Sequence, residues 1–159
     1  MNHKHFLLTA VMAIGPTRLA LRYADDQAFE LDLGGVIKKH PTLARLRDPD
    51  VFAQVEPDEW NRGVVFAGDD DLTLASDNLR AMAIEQSGEF SHQQLLVWMN
   101  HHAMTLDAAA AALDVSRRML AYYRSGEKPI PRTVGLAMLG WDVYLLRGSQ
   151  HAFEYDAAA

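Results

Sequence analysis

The chain has 159 residues, 49% of them hydrophobic and 23% charged, with no cysteine and a formal net charge of −6 at pH 7. That composition supports one ordinary domain or two small ones and excludes a disordered, fibrous or collagenous chain. The lack of cysteine excludes disulfides, iron–sulfur clusters, thiolate zinc sites and cysteine nucleophiles.

Near the front, the apolar run 6–14 is far shorter than the roughly 20 residues needed to span a bilayer. A lysine, an apolar run and small residues give the first fourteen positions the outline of an export signal. The pattern that follows favours a strand instead. After Gly15-Pro16, Leu19, Leu21 and Tyr23 alternate with Arg18, Ala20 and Arg22, and then Phe29, Leu31 and Leu33 alternate with Glu30 and Asp32. Antiparallel pairing through a three- or five-residue loop around Asp25-Asp26 puts both apolar sets on one side and sets the arginines against Glu30 and Asp32. Cleavage after Ala20 would cut this hairpin. A cytoplasmic protein with no membrane partner is expected.

Further along, 41–46 reads as short helical or turn pieces, and Asp48 caps a turn that has Pro49 at its first position. Residues 63–66 read as a strand, Asp69-Asp70-Asp71 as a turn and charged cap, and Ser76 as the cap of a helix that buries Leu79, Met82, Ala83 and Gln86 on one face. The Leu19–Leu33 hairpin, "LRDPDVFAQV" and "GVVFAGDDDLTLASDNL" resemble a bacterial family known as domain of unknown function number 2442. That resemblance implies a small α+β domain, found in operons of toxin–antitoxin type or fused to DNA-binding modules, with no catalytic residue. Beside a transcription regulator whose front domain binds a partner or ligand, the alternative is an antitoxin-like interaction module in which this domain binds a toxin partner, with or without DNA autoregulation. The Asp-Gly turn usual in that family is Asp25-Asp26 here.

Gln86-Ser87-Gly88-Glu89 marks a boundary. The expected layout is an acidic α+β domain over 1–87, an all-α domain over 88–148 and a flexible tail over 149–159. The tail's terminal alanines resemble a bacterial degradation tag. Charge follows the division: residues 1–90 hold fifteen acids against nine Lys/Arg, while 91–159 hold six of each. Within 115–133, Arg117, Arg118, Arg124, Lys128 and Arg132 stand against Glu127 alone, a local charge of +4. Two modules with different partners are implied.

In the second module, Ser91 and Gln94 form a capping box ahead of Leu95, Leu96, Trp98 and Met99. Thr105 caps "TLDAAAAAL", which buries Leu106, Ala109, Ala110 and Leu113. Asp114-Val115 make a turn. Ser116 caps "SRRMLAYYRSG", closed by Gly126, with Pro129 and Pro131 forbidding continuation. The spacing of caps, turn and small Ala110 is that of a helix-turn-helix. Residues 91–146, through "MTLDAAAAALDVSRRMLAYYRSGEKPIPR", resemble Xre-type DNA-binding domains, which implies a five-helix lambda-repressor-like fold and double-stranded operator DNA as partner. The glutamine that this family often carries at the start of its second helix, where it clamps a phosphate, is Leu106 here. The turn glycine is Asp114.

With Leu120 and Tyr123 facing inward, Arg117, Arg118, Ala121 and Tyr122 face out. Arg117 and Arg118 suit guanine O6 and N7, and Tyr122 suits a thymine methyl or a phosphate. Ser116, Arg124, Lys128 and Arg132 are expected on phosphates, fixing register without reading sequence. The last helix, 133–146, is apolar on nearly all faces and is expected to be buried all round, against a second subunit in a homodimer or against the front domain. His101 and His102 diverge by about 100° on their helix, so they cannot share one ion. Asp69-Asp70-Asp71 lacks the alternating pattern of a calcium loop, and there is no Gly-rich phosphate loop or nucleophile elbow. No metal, no cofactor and no catalytic residue are expected.

Overall fold

The structure, a computed structural model, describes residues 3–147 together with 156 and 158; the tail at 149–159 therefore lies largely outside the described residues. The protein is α+β, with two antiparallel sheets followed by a run of five helices. It divides into two compact units, Met1–Glu89 and Phe90–Ala159.

In the first unit, β1 (Leu8–Ala13), β2 (Arg18–Tyr23) and β3 (Ala28–Asp32) form a meander in that order. The run that resembled an export signal supplies β1. Leu19 pairs with Leu31 and Leu21 with Phe29, so the alternating apolar residues share the inner face. Arg18 lies opposite Asp32 and its Nη2 reaches diagonally to Glu30 at 2.8 Å, while Arg22 faces Ala28. The loop is the three-residue form. Tyr23 N donates to Gln27 O at 2.9 Å, and Asp26 takes the left-handed position with φ of 65°.

Three short pieces follow: α1 (Gly34–Lys39), a 3-10 segment at Pro41–Arg47 and α2 (Pro49–Ala53). Asp48 caps α2, its Oδ1 accepting from Asp50 N at 2.9 Å. The second meander contains β4 (Val55–Pro57), β5 (Gly63–Phe66) and β6 (Asp69–Ala75). The expected turn at Asp69-Asp70-Asp71 is displaced. Ala67 and Gly68 both adopt positive φ, 52° and 63°, and make the reversal themselves, so the three acids begin β6.

Helix α3 (Ser76–Gln86) also begins differently from expectation. Its N-cap is Ala75, and Ser76 instead donates its hydroxyl to Phe6 O at 2.5 Å. At the other end, Gln86 Nε2 donates to Asp32 O at 2.7 Å while its Oε1 accepts from Asp32 N at 2.9 Å, closing part of the open edge of β3. The core of this unit gathers Leu8, Leu19, Tyr23, Leu31, Leu33, Phe52, Phe66, Leu72 and Leu79. Burial pushes the Tyr23 phenol well above its usual range, against the pull of Arg80, and its hydroxyl donates to Ser76 O at 2.8 Å.

The second unit holds α4 (His92–His101), α5 (Leu106–Leu113), α6 (Arg117–Arg124) and α7 (Arg132–Arg147). Four helices, not five, lie among its described residues. Leu95, Met99, Ala109, Leu113, Leu120, Tyr123, Ile130, Val134 and Met138 make its core. Within its own unit, helix α7 is covered on one side. Val134 and Met138 are buried, but Leu136, Leu139, Val143 and Leu146 are at least half exposed. The other described helices of this unit cover only one side of it.

Candidate nucleic-acid interface

Each helix of the α5–α6 pair begins on a side-chain cap. Thr105 Oγ1 accepts from Ala108 N at 3.1 Å, and Ser116 Oγ accepts from Met119 N at 3.1 Å. Between them Asp114 adopts the left-handed conformation, φ 53° and ψ 45°, and Val115 N donates back to Ala110 O at 3.0 Å. The short polar side chain of aspartate tolerates that region better than most. Ala109 and Ala110 are buried where a larger side chain would hold the helices apart. Leu120 and Tyr123 anchor α6 from within.

Helix α6 is capped at its C-terminus by Ser125, and Gly126 follows with φ of 76°. That reversal folds the exit back over the helix. Ser125 Oγ donates to Tyr122 O at 3.1 Å and Lys128 N donates to the same carbonyl at 3.3 Å. Lys128 Nζ thereby lies 4.7 Å from the centre of the Tyr122 ring. From one turn earlier, Arg118 donates through Nε and Nη2 to the Tyr122 hydroxyl at 3.3 and 3.2 Å. The half-buried Tyr122 thus holds two cations at one edge of the helix.

The other residues named from the sequence are exposed: Ser116, Arg117, Arg118, Arg124, Lys128 and Arg132. Arg117 Nε pairs with Asp107 Oδ1 at 2.9 Å, both on the surface. Among the described residues no acid pairs with Arg118, Arg124, Lys128 or Arg132. Because Ser116 Oγ is an acceptor in its cap, its hydroxyl proton remains available to an oxygen beyond the helix. The surface can present positive charge and donors to an anionic, groove-bearing polymer. Among the described residues no group of three His, Asp or Glu side chains is placed to hold a metal, and no helix is long and apolar enough to cross a membrane.

No protein-family model matches this chain, and no curated protein does. A solved structure does: the crystal structure of "putative DNA binding protein NE0471" from Nitrosomonas europaea, 42% identical, covering 86% of each chain, with a TM-score of 0.79. The chain belongs to the NE0471 family. In this member, three features of the helical unit escaped the sequence reading. One is Asp107, which as an acid in the first turn of a helix needs no explanation beyond the helix dipole. Another is the contact of Phe90 with Gly135, where an added Cβ would lie 2.0 Å from the ring. The third joins α4 to α7: Asp142 Oδ1 accepts from Trp98 Nε1 at 3.2 Å and pairs with His102 Nε2 at 2.6 Å. A lone acid within an apolar helix was the available signal for that last site.

Proposed function

We propose that this chain is a sequence-selective DNA-binding protein, a non-enzymatic transcription regulator whose second unit is an Xre-type helix-turn-helix domain. One observation carries the reading: α6 presents Arg117, Arg118 and Arg124 to solvent, and its folded-back exit adds Lys128 and, at the start of α7, Arg132 to the same short segment. The relationship to NE0471 supports it from outside the site. In this reading α6 enters the major groove, Arg117, Arg118 and Tyr122 meet base edges, and Ser116, Arg124, Lys128 and Arg132 hold phosphates. Leu106 does not clamp the backbone, so the exit cations carry more of that work. The acidity of the first unit suppresses sequence-blind binding by long-range repulsion.

Leu136, Leu139, Val143 and Leu146 follow a three-four spacing along α7, the pattern of a seam between two helices. We assign that seam to a homodimer, which would place two copies of α6 on two half-sites. The first unit, a domain of the 2442 type in this reading, is the partner- or ligand-binding module. A second reading, an antitoxin-like interaction module, is favoured by Trp60. This side chain is 71% exposed on a loop that Asp58 braces by accepting from Trp60 N and Arg62 N, with Glu59 beside it. A large aromatic on a rigid acidic loop suits a basic protein partner. Footprinting on the DNA upstream of the gene separates the readings: protection of a discrete site supports the regulator. Its absence at low salt, with capture of a tight basic protein, supports the antitoxin.

A further inference from the structure

Asp107 is an odd neighbour for a DNA-reading arginine. It lies in the first turn of α5, next to the position where the related domains often carry a phosphate clamp, and its carboxylate holds Arg117 Nε at 2.9 Å across the helix-turn-helix. Both side chains are well exposed, so in water their attraction is largely screened and the pair adds little to folding. Its effect belongs to the docked state, where water leaves and an unpaired charge is expensive.

We propose that Asp107 is a positioning residue that makes Arg117 selective for guanine; this rests on the DNA-reading function above. With Nε committed to Asp107, the two terminal nitrogens of the guanidinium are left to reach outward. Guanine offers O6 and N7 at the spacing those two donors match. At a guanine, both Arg117 and Asp107 are satisfied at once. At another base, Arg117 either leaves desolvated donors unmatched or swings to a phosphate. If it swings, it abandons a carboxylate facing the polyanion. Either outcome penalises the wrong sequence, and the carboxylate also discourages use of Arg117 as a mere phosphate contact.

The test uses the full chain and a duplex enriched by it from a random-sequence library, compared with a scrambled duplex of equal composition. In Asp107→Ala the ratio of the two affinities should fall by about tenfold, the loss expected for one bidentate base contact. Affinity for the scrambled duplex should rise, and the slope of log affinity against log salt should steepen by about 0.9, one added phosphate contact. Asp107→Glu should recover part of the ratio, and Asp107→Ala in an Arg117→Ala background should change it no further. An unchanged ratio and slope in Asp107→Ala, with the wild-type chain still selective, overturns this proposal alone. If no duplex is enriched, or the wild-type chain binds all duplexes equally, the DNA-reading function fails and this proposal with it.

Discussion

Arg80 and Asp25 meet as a two-bond ion pair, Nη1 to Oδ1 at 3.1 Å and Nη2 to Oδ2 at 2.8 Å, tying the β2–β3 loop to α3. The Arg80 guanidinium also donates to His5 O at 2.7 Å and lies 5.0 Å from the centres of both the Tyr23 and Phe29 rings. Partial burial opposes the Asp25 charge, but the hydrogen bonds and field of Arg80 win and hold its carboxyl below the ordinary value of 3.8. The stability this contributes is present in full above that ordinary value and is lost as pH falls through the lower folded one. Asp25→Asn should therefore flatten the acid side of a plot of thermal midpoint against pH. Asp25→Ala should cost about 3 kcal/mol at neutral pH, because a mostly buried guanidinium loses its counter-ion.

Phe90 rests on Gly135 so closely that a methyl group there would meet the ring at 2.0 Å. Gly135→Ala should lower stability by about 1–3 kcal/mol, the usual penalty of overpacking, despite alanine's better helix propensity. In a Phe90→Ala background the same substitution should be neutral or stabilising. A denaturant melt of the four proteins measures this coupling directly.

Much of this architecture is written locally. The caps at Ser91, Thr105 and Ser116 and the stop at Gly126 depend on hydrogen bonds over a few residues, so the α4–α6 pattern is legible from spacing alone. Helix α1 is not. It opens on Gly34-Gly35, its N-cap Leu33 has no side-chain bond to offer, and only Ile37 on it is buried. Strand β4 exists through its pairing with β5, not through any propensity of Val55-Glu56-Pro57. The charges at the candidate interface were legible as a cluster. Their partners were not, because Asp107 reaches Arg117 only once the turn at Asp114 has brought α5 back against α6.

The exposed row on α7 leads to another prediction. At concentrations low enough to keep both proteins monomeric, Leu139→Glu should leave the melting curve within about 0.5 kcal/mol of wild type, since the side chain is 56% exposed. If the seam pairs two copies as proposed, sedimentation at higher concentration should give a dimer for the wild-type chain and a monomer for the variant, and the affinity for a two-half-site duplex should fall with it.

Tyr122 holds Arg118 through its hydroxyl and lies under Lys128. Tyr122→Phe should keep the ring and the Lys128 contact while freeing Arg118, weakening binding to an enriched duplex less than Arg118→Ala does. Neither substitution should move the thermal midpoint appreciably, because Arg118 lies on the surface.

In the function proposed above, the exposed cations of α6 and its exit bind DNA selectively. This is tested most directly by fluorescence anisotropy of an enriched and a scrambled duplex across a salt series, with Arg117→Ala beside the wild-type chain. Groove reading by α6 predicts tight binding to the enriched duplex and a log–log salt slope of about −0.9 for each phosphate held. It also predicts that Arg117→Ala loses about 1–3 kcal/mol of discrimination. Equal affinity for both duplexes, or no binding at low salt, would contradict it.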